Sequence, residues 1–183
     1  MDLMEVLRTR RACREFTAEP VTKETIEDLI AAAVLAPSAM NLQPWAFAVV
    51  IGAARLHEMS GRARQAALEH FPKDSPLHGH LTDPSFEIFH GAAALIVICA
   101  TGGETQAAED CCLAAENLML AARAKGLGTC WIGLARPWLA RAEAKAELGI
   151  PATLMPVAPI ILGHPTHLPA PTPRNAPRIF WAR

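Results

Sequence analysis

Nine consecutive apolar residues, Ala92 to Ala100, lie between Gly91 and a Thr101-Gly102-Gly103 turn, and no other segment constrains the fold as strongly. The run is about half the ~18 to 20 residues that a membrane span needs, so it reads as a buried strand over 94–100. Such a strand needs a core around it. At 183 residues and 51% apolar composition the chain supplies one within a single domain, 1–183.

Helices and strands alternate around that strand, with no linker and no repeat. Asp2 caps a short helix with Glu5 three residues on, and Leu3, Val6 and Leu7 mark its buried side. Thr22 caps a second helix, where Ile26, Leu29, Ile30, Ala33 and Val34 share one face until Pro37 stops it. Trp45 to Ile51 reads as a strand and Ala53 to about Glu69 as a polar helix. Phe71 to Phe86, with three prolines and two histidines, reads as a loop. Glu104 to Lys125 is a long alanine-rich helix closed by Gly126, and Thr129 to Gly133 is a short strand. Pro137 opens another helix that ends before Gly149, and Val157 to Leu162 is the last strand. Residues 165–183 carry five prolines and form a tail or a wrapping arm.

Several function classes drop out. Seventeen basic against eighteen acidic side chains, without a long tract of like charge, leave no footprint for nucleic acid or an anionic membrane. Asp2 and Glu5 stand where a secretory leader is basic, so a cytoplasmic location is expected. The cysteines at 13, 99, 111, 112 and 130 include no Cys-x-x-Cys pair, and a helix would point Cys111 and Cys112 to different faces. They read as reduced residues at small apolar positions. His78-x-His80 lacks carboxylate or thiolate company and reads as exposed loop, as do His164 and His167, so no metal site is expected.

Alternating helices and strands suggest a nucleotide-binding fold, yet no Gly-x-Gly-x-x-Gly follows a strand. Cofactor chemistry has to be sought in two other segments. Arg10-Arg11-Ala12-Cys13-Arg14-Glu15-Phe16 concentrates positive charge where the first helix ends, which by itself also suits solvated charges at a helix C-terminus. Ala36-Pro37-Ser38-Ala39-Met40-Asn41-Leu42-Gln43-Pro44-Trp45 stops a helix and opens a strand, and its parts taken singly read as a polar turn. Together they offer guanidinium groups to phosphate oxygens and side-chain amides to the polar edge of a flat heterocycle.

Both segments resemble the N-terminal signature of the nitroreductase family of FMN-dependent oxidoreductases, and the resemblance covers nearly the whole chain. It implies an α+β fold with a central, mostly antiparallel sheet flanked by helices, and a homodimer whose C-terminal arm, 165–183, is swapped between subunits. It further implies that Arg10, Arg11, Ala12 and Arg14 hold the phosphate and ribityl chain of FMN and put positive charge near the N1–C2 edge of the flavin. A fixed guanidinium there stabilises the negative charge that reduction brings. Ala12 departs from the usual serine, which removes one hydroxyl contact. Pro37, Ser38 and Asn41 are implied to reach the FMN bound mainly by the other subunit, and Gln43 to belong to the cofactor-binding set.

The segment from Glu116 to Gly133 resembles the family's central helix and following strand. There Trp131, Ile132 and Gly133 are implied to present backbone N–H groups to the hydride-exchanging edge. Arg174 matches a phosphate-binding arginine, with Thr172 where a lysine is often found, and Arg64 or Gln65 stands where a polar contact to the flavin is expected. The implied activity is two-electron transfer from NAD(P)H to a nitroaromatic, a quinone or a similar small electrophile by a ping-pong mechanism. The alternatives are a branch acting on flavin itself or on a halogenated aromatic, and a flavin-binding protein without turnover.

Overall fold

Every residue of strand β2 (Ala94–Ala100) is buried. In the computed structural model, which describes residues 1–182, β2 pairs antiparallel with β1 (Trp45–Ile51) on one side and with β4 (Met155–Gly163) on the other. Strand β3 (Gly128–Trp131) pairs antiparallel with β4, giving the order β1-β2-β4-β3. The register sets Ala100 between Trp45 and Met155 at one end of the sheet and Gly128 opposite Gly163 at the other. Helices and an antiparallel sheet make this the α+β architecture expected, without the parallel crossovers of a doubly wound fold.

The side chains of β2 alternate between two cores. Ala94, Ile96, Ile98 and Ala100 meet α2 (Lys23–Ala33) and α5 (Thr105–Ala124), whereas Leu95, Val97 and Cys99 meet α3 (Ala53–His70), α6 (Arg136–Leu139) and α7 (Ala142–Glu147). Cover on both faces is why the apolar run is unbroken. Helix α5 presents Ala107, Cys111, Ala114, Ala115 and Ala122 to the sheet and to α2, so backbones approach closely. Its two cysteines diverge as helical geometry requires: Cys111 is buried, with its thiol pushed up to about 12 by burial, and Cys112 is exposed.

Several boundaries and one buried face differ from those the sequence suggested. Phe71 to Phe86 is not all loop, because Ser75 caps α4 (Pro76–Thr82), its Oγ accepting from the Leu77 N–H at 3.3 Å, and Leu81 is buried beside α3. A serine followed by proline at the first helical position is a start signal that proline content obscured. Strand β3 stops at Trp131 instead of Gly133, since a 3₁₀ turn (Gly133–Ala135) follows. The helix expected from Pro137 to Gly149 is two short ones, interrupted at Ala140 and Arg141. In α1 (Leu3–Thr9) the Asp2 carboxylate accepts from the Glu5 N–H at 2.9 Å as foreseen, but only Val6 is buried, and Leu3 and Leu7 face outward with Met1 and Met4.

Beyond β4, Pro165 bridges to Phe16 and the Thr166 N–H donates to the Glu15 carbonyl at 3.2 Å. After that the chain runs without regular structure, and Ile179, Phe180 and Trp181 are exposed. Arg183, the last residue of the expected arm, lies outside the described residues. Among the described residues no helix is long and apolar enough to cross a membrane.

Candidate functional site

The arginine turn is laid across the end of the sheet by backbone bonds. Cys13 N–H donates to the Thr129 carbonyl at 2.9 Å, and Thr17 N–H to the His164 carbonyl at 2.8 Å. Two glycines permit that approach. A Cβ on Gly128 would stand 2.8 Å from Cys13 Cβ, and one on Gly163 would stand 2.8 Å from Phe16 Cδ1. The end of α1 is fixed by Arg123, buried in α5, whose Nε donates to Thr9 Oγ1 at 3.0 Å.

The three arginines of the turn are held differently. Arg10 Nε lies 3.4 Å from a Glu116 carboxylate oxygen. Arg11 donates through Nη1 to the Arg10 carbonyl at 2.6 Å, while its buried Nε has no partner. Arg14 makes no ion pair among the described residues and lines a cavity of about 1200 Å³. That volume exceeds the ~300 to 1,000 Å³ of a typical ligand pocket.

The cavity is walled by β3 and the turn after it, by the C-terminal end of α3 with α4, by Phe86 to His90, and by Met155 and Pro156 of β4. Its charge is one-sided. Among the described residues Arg14 and Arg136 face it without a carboxylate partner, and its one acidic residue, Glu69, pairs with Arg141. A hydrogen bond from Gln65, then Arg141, hold the Glu69 carboxyl below its ordinary value. His90, at φ +53°, is pushed below the usual imidazole value by burial and then by Arg14. Its side chain meets the Phe86 ring edge-on at 5.7 Å. At the start of the 3₁₀ turn the Gly133 and Leu134 N–H groups have no acceptor among the described residues, whereas the Ile132 N–H is taken by the Pro159 carbonyl at 2.8 Å. Guanidinium groups and free N–H donors form a donor set suited to an anionic, acceptor-rich ligand such as a flavin mononucleotide.

Residues 7–164 match the model of the nitroreductase family. The chain belongs to that family. As a nitroreductase-family member it is an oxidoreductase. It is 33% identical over 173 residues to a Methanothermobacter thermautotrophicus protein provisionally named an NADH dehydrogenase/NAD(P)H nitroreductase, covering 92% of this chain and 80% of that one. It is 30% identical over 200 residues to the nitrobenzene nitroreductase of Ectopseudomonas oleovorans, covering 87% and 85%. The crystal structure of a nitroreductase with bound FMN from Desulfitobacterium hafniense superposes with a TM-score of 0.86 at 25% identity, over the full length of both chains.

Within this nitroreductase-family subunit the residues singled out from sequence fall into three groups. Arg14, Trp131, Ile132 and Gly133 line the cavity, whereas Arg10, Arg11 and Ala12 belong to the same turn as Arg14 without lining it. Pro37, Ser38, Asn41 and Gln43 lie elsewhere, tied to α5 by the buried Asp110 carboxylate, which accepts from the Ala39 N–H at 3.2 Å. There Ser38 Oγ accepts from the Gln43 N–H at 2.9 Å, and Met40, Asn41 and Gln43 all have φ near +50°. Gln65 is exposed on α3 and donates to Glu69 at 2.9 Å, and Arg64 donates to the Asp83 carbonyl at 2.8 Å. Arg174 is exposed in the arm and donates to the Thr172 carbonyl at 3.0 Å. His90, Arg136 and Arg141 line the cavity and were not foreseen. Sequence offered no signal for the arginines, and only the His90-Gly91 pair before an apolar strand hinted at a special turn. Among the described residues His78 and His80 belong to no group of three metal-ligating side chains.

Proposed function

We propose that the protein is an FMN-dependent oxidoreductase that passes two electrons from NAD(P)H to a nitroaromatic, quinone or similar small electrophile, working as a homodimer with FMN at the subunit interface. The single observation that carries this reading is the roomy cavity that joins Arg14 to the free N–H groups of Gly133 and Leu134. FMN supplies the redox chemistry when bound. Arg14, with Arg10 and Arg11 beside it, holds the phosphate, and Gly133 and Leu134 orient the ring through their main-chain donors. The wall of α3 and α4 excludes water from the cavity. Ser38 and Asn41 complete the site from the partner subunit, a role that accounts for three non-glycine residues kept at positive φ, each at a cost of order 1–3 kcal/mol. The arm carries Arg174 to the same cofactor.

The protein purified with FMN should be yellow, and its visible absorption should bleach on anaerobic addition of NADH or NADPH. One open face admits the two substrates in turn, so initial rates at several acceptor concentrations should give parallel double-reciprocal lines. Intersecting lines with every acceptor tried would rule out the shared face. A protein left colourless after reconstitution with FMN would overturn the reading altogether.

Arg14→Ala removes one charge-assisted contact and should weaken FMN binding by about 1.5–3 kcal/mol. Fluorescence titration of the apoprotein measures that loss directly, and an unchanged affinity would move the phosphate away from this turn.

A further inference from the structure

The cavity has a cation at each end, and only one end is accounted for by a cofactor phosphate. Arg14 follows Cys13, whose N–H bonds Thr129, and Thr129 is level with Leu162 on β4. The far wall is Pro156 and Met155, six and seven residues back along the same strand, or about 20–23 Å at ~3.3 Å per residue. Arg136 belongs to that side, because the Ile132 N–H bonds the Pro159 carbonyl, three residues nearer Met155 than Leu162, and the chain runs on through Gly133–Ala135 into α6. It lowers the thiol of Cys112 through its charge, although burial raises that thiol more strongly. The neighbouring Cys111 Sγ lies 3.7 Å from the Pro44 carbonyl, which also accepts from Thr101 next to the Ala100–Met155 pair.

Resting on the flavoprotein reading above, we propose that Arg136 anchors the negative charge of the electron acceptor, so that the second substrate is an anionic aromatic, a ring bearing a carboxylate, and not a neutral one. A chain of net charge −1 places two uncompensated guanidinium groups in one cavity, and the single carboxylate there is already paired with Arg141. A dianionic cofactor phosphate at the Arg14 end leaves Arg136 without a carboxylate partner among the described residues of its own subunit, and a planar guanidinium suits a carboxylate through two parallel bonds. The facing wall supplies His80 and the apolar Leu77 and Phe86, which fit an aromatic ring beside a polar tail.

The test uses the flavin-loaded protein. The kcat/KM ratio of 4-nitrobenzoate to its neutral counterpart 4-nitrobenzamide should exceed one in the wild type. It should fall about tenfold in Arg136→Gln, as for one lost charge-assisted contact, and recover in part in Arg136→Lys. Calorimetric titration with benzoate and benzamide reads the same preference without turnover, so it stands even if NAD(P)H is not the reductant. A ratio near one in the wild type, or one that Arg136→Gln leaves unmoved, overturns the proposal. A loss confined to NADPH relative to NADH assigns the anion to the nucleotide and overturns it equally.

Discussion

Removal of residues 174–183 should yield a monomer that no longer retains FMN. The segment holds Arg174 and ends in Ile179, Phe180 and Trp181, of which Phe180 is 90% and Trp181 84% exposed in the single subunit. Two aromatic side chains and an isoleucine present several hundred Å² of apolar surface. At ~25 cal/mol per Å² their burial is worth on the order of 10 kcal/mol before ordering costs. The rest of the surface offers a matching area, because Leu3, Met4 and Leu7 on α1 face outward, as do Leu35, Met40 and Leu42 around the Ser38 turn. A two-fold arrangement lets each arm cover its neighbour while each Ser38 turn reaches the other subunit's cavity. Light scattering and the flavin-to-protein ratio after gel filtration should therefore fall together. A truncated protein that stays dimeric with a full complement of FMN would disprove the arm's role, and so would a full-length monomer that keeps FMN at low micromolar concentration.

How much of this could be seen in the sequence depends on whether a residue's environment is local. Strand β2, the small face of α5 and the Asp2 and Thr22 caps are set by neighbours within a few residues, and all stood where the sequence placed them, whereas α2 ends at Ala33, four residues before Pro37, and leaves Val34 exposed. The Arg10–Arg14 turn was legible by its charge and its family signature. Its seat was not, because the space at Gly128 and Gly163 depends on pairing between β3, β4 and a segment more than a hundred residues earlier. Helix α4 was hidden by its prolines, and Arg136 by sitting in a short helix with no motif. The outward faces of Leu3 and Leu7 have the same character. Nothing among the described residues covers them, and a periodic pattern marks a face as apolar without saying what covers it.

Gly128→Ala should cost the protein its flavin even though no atom of Gly128 needs to touch the cofactor. The added Cβ would lie 2.8 Å from Cys13 Cβ, 2.9 Å from Cys13 Sγ and 3.2 Å from Pro165 Cβ. A Cβ is fixed to its backbone, so no side-chain rotation relieves the contact, and the arginine turn itself has to shift. Overpacking of this kind costs about 1–3 kcal/mol of stability, read as a lowered melting temperature. The displacement also falls on Arg14, the residue next to Cys13, and FMN affinity should drop by more than the ~10-fold of a single weakened contact. Cys13→Gly in the same chain removes two of the three obstructing atoms and should restore part of both losses. That recovery in a double-mutant cycle separates a displaced turn from a general loss of fold, since Cys13→Gly alone removes buried packing and can only destabilise. A Gly128→Ala protein with wild-type melting temperature and FMN affinity would show that the turn can move without loss, and that the close approach to β3 is not what aims Arg14 into the cavity.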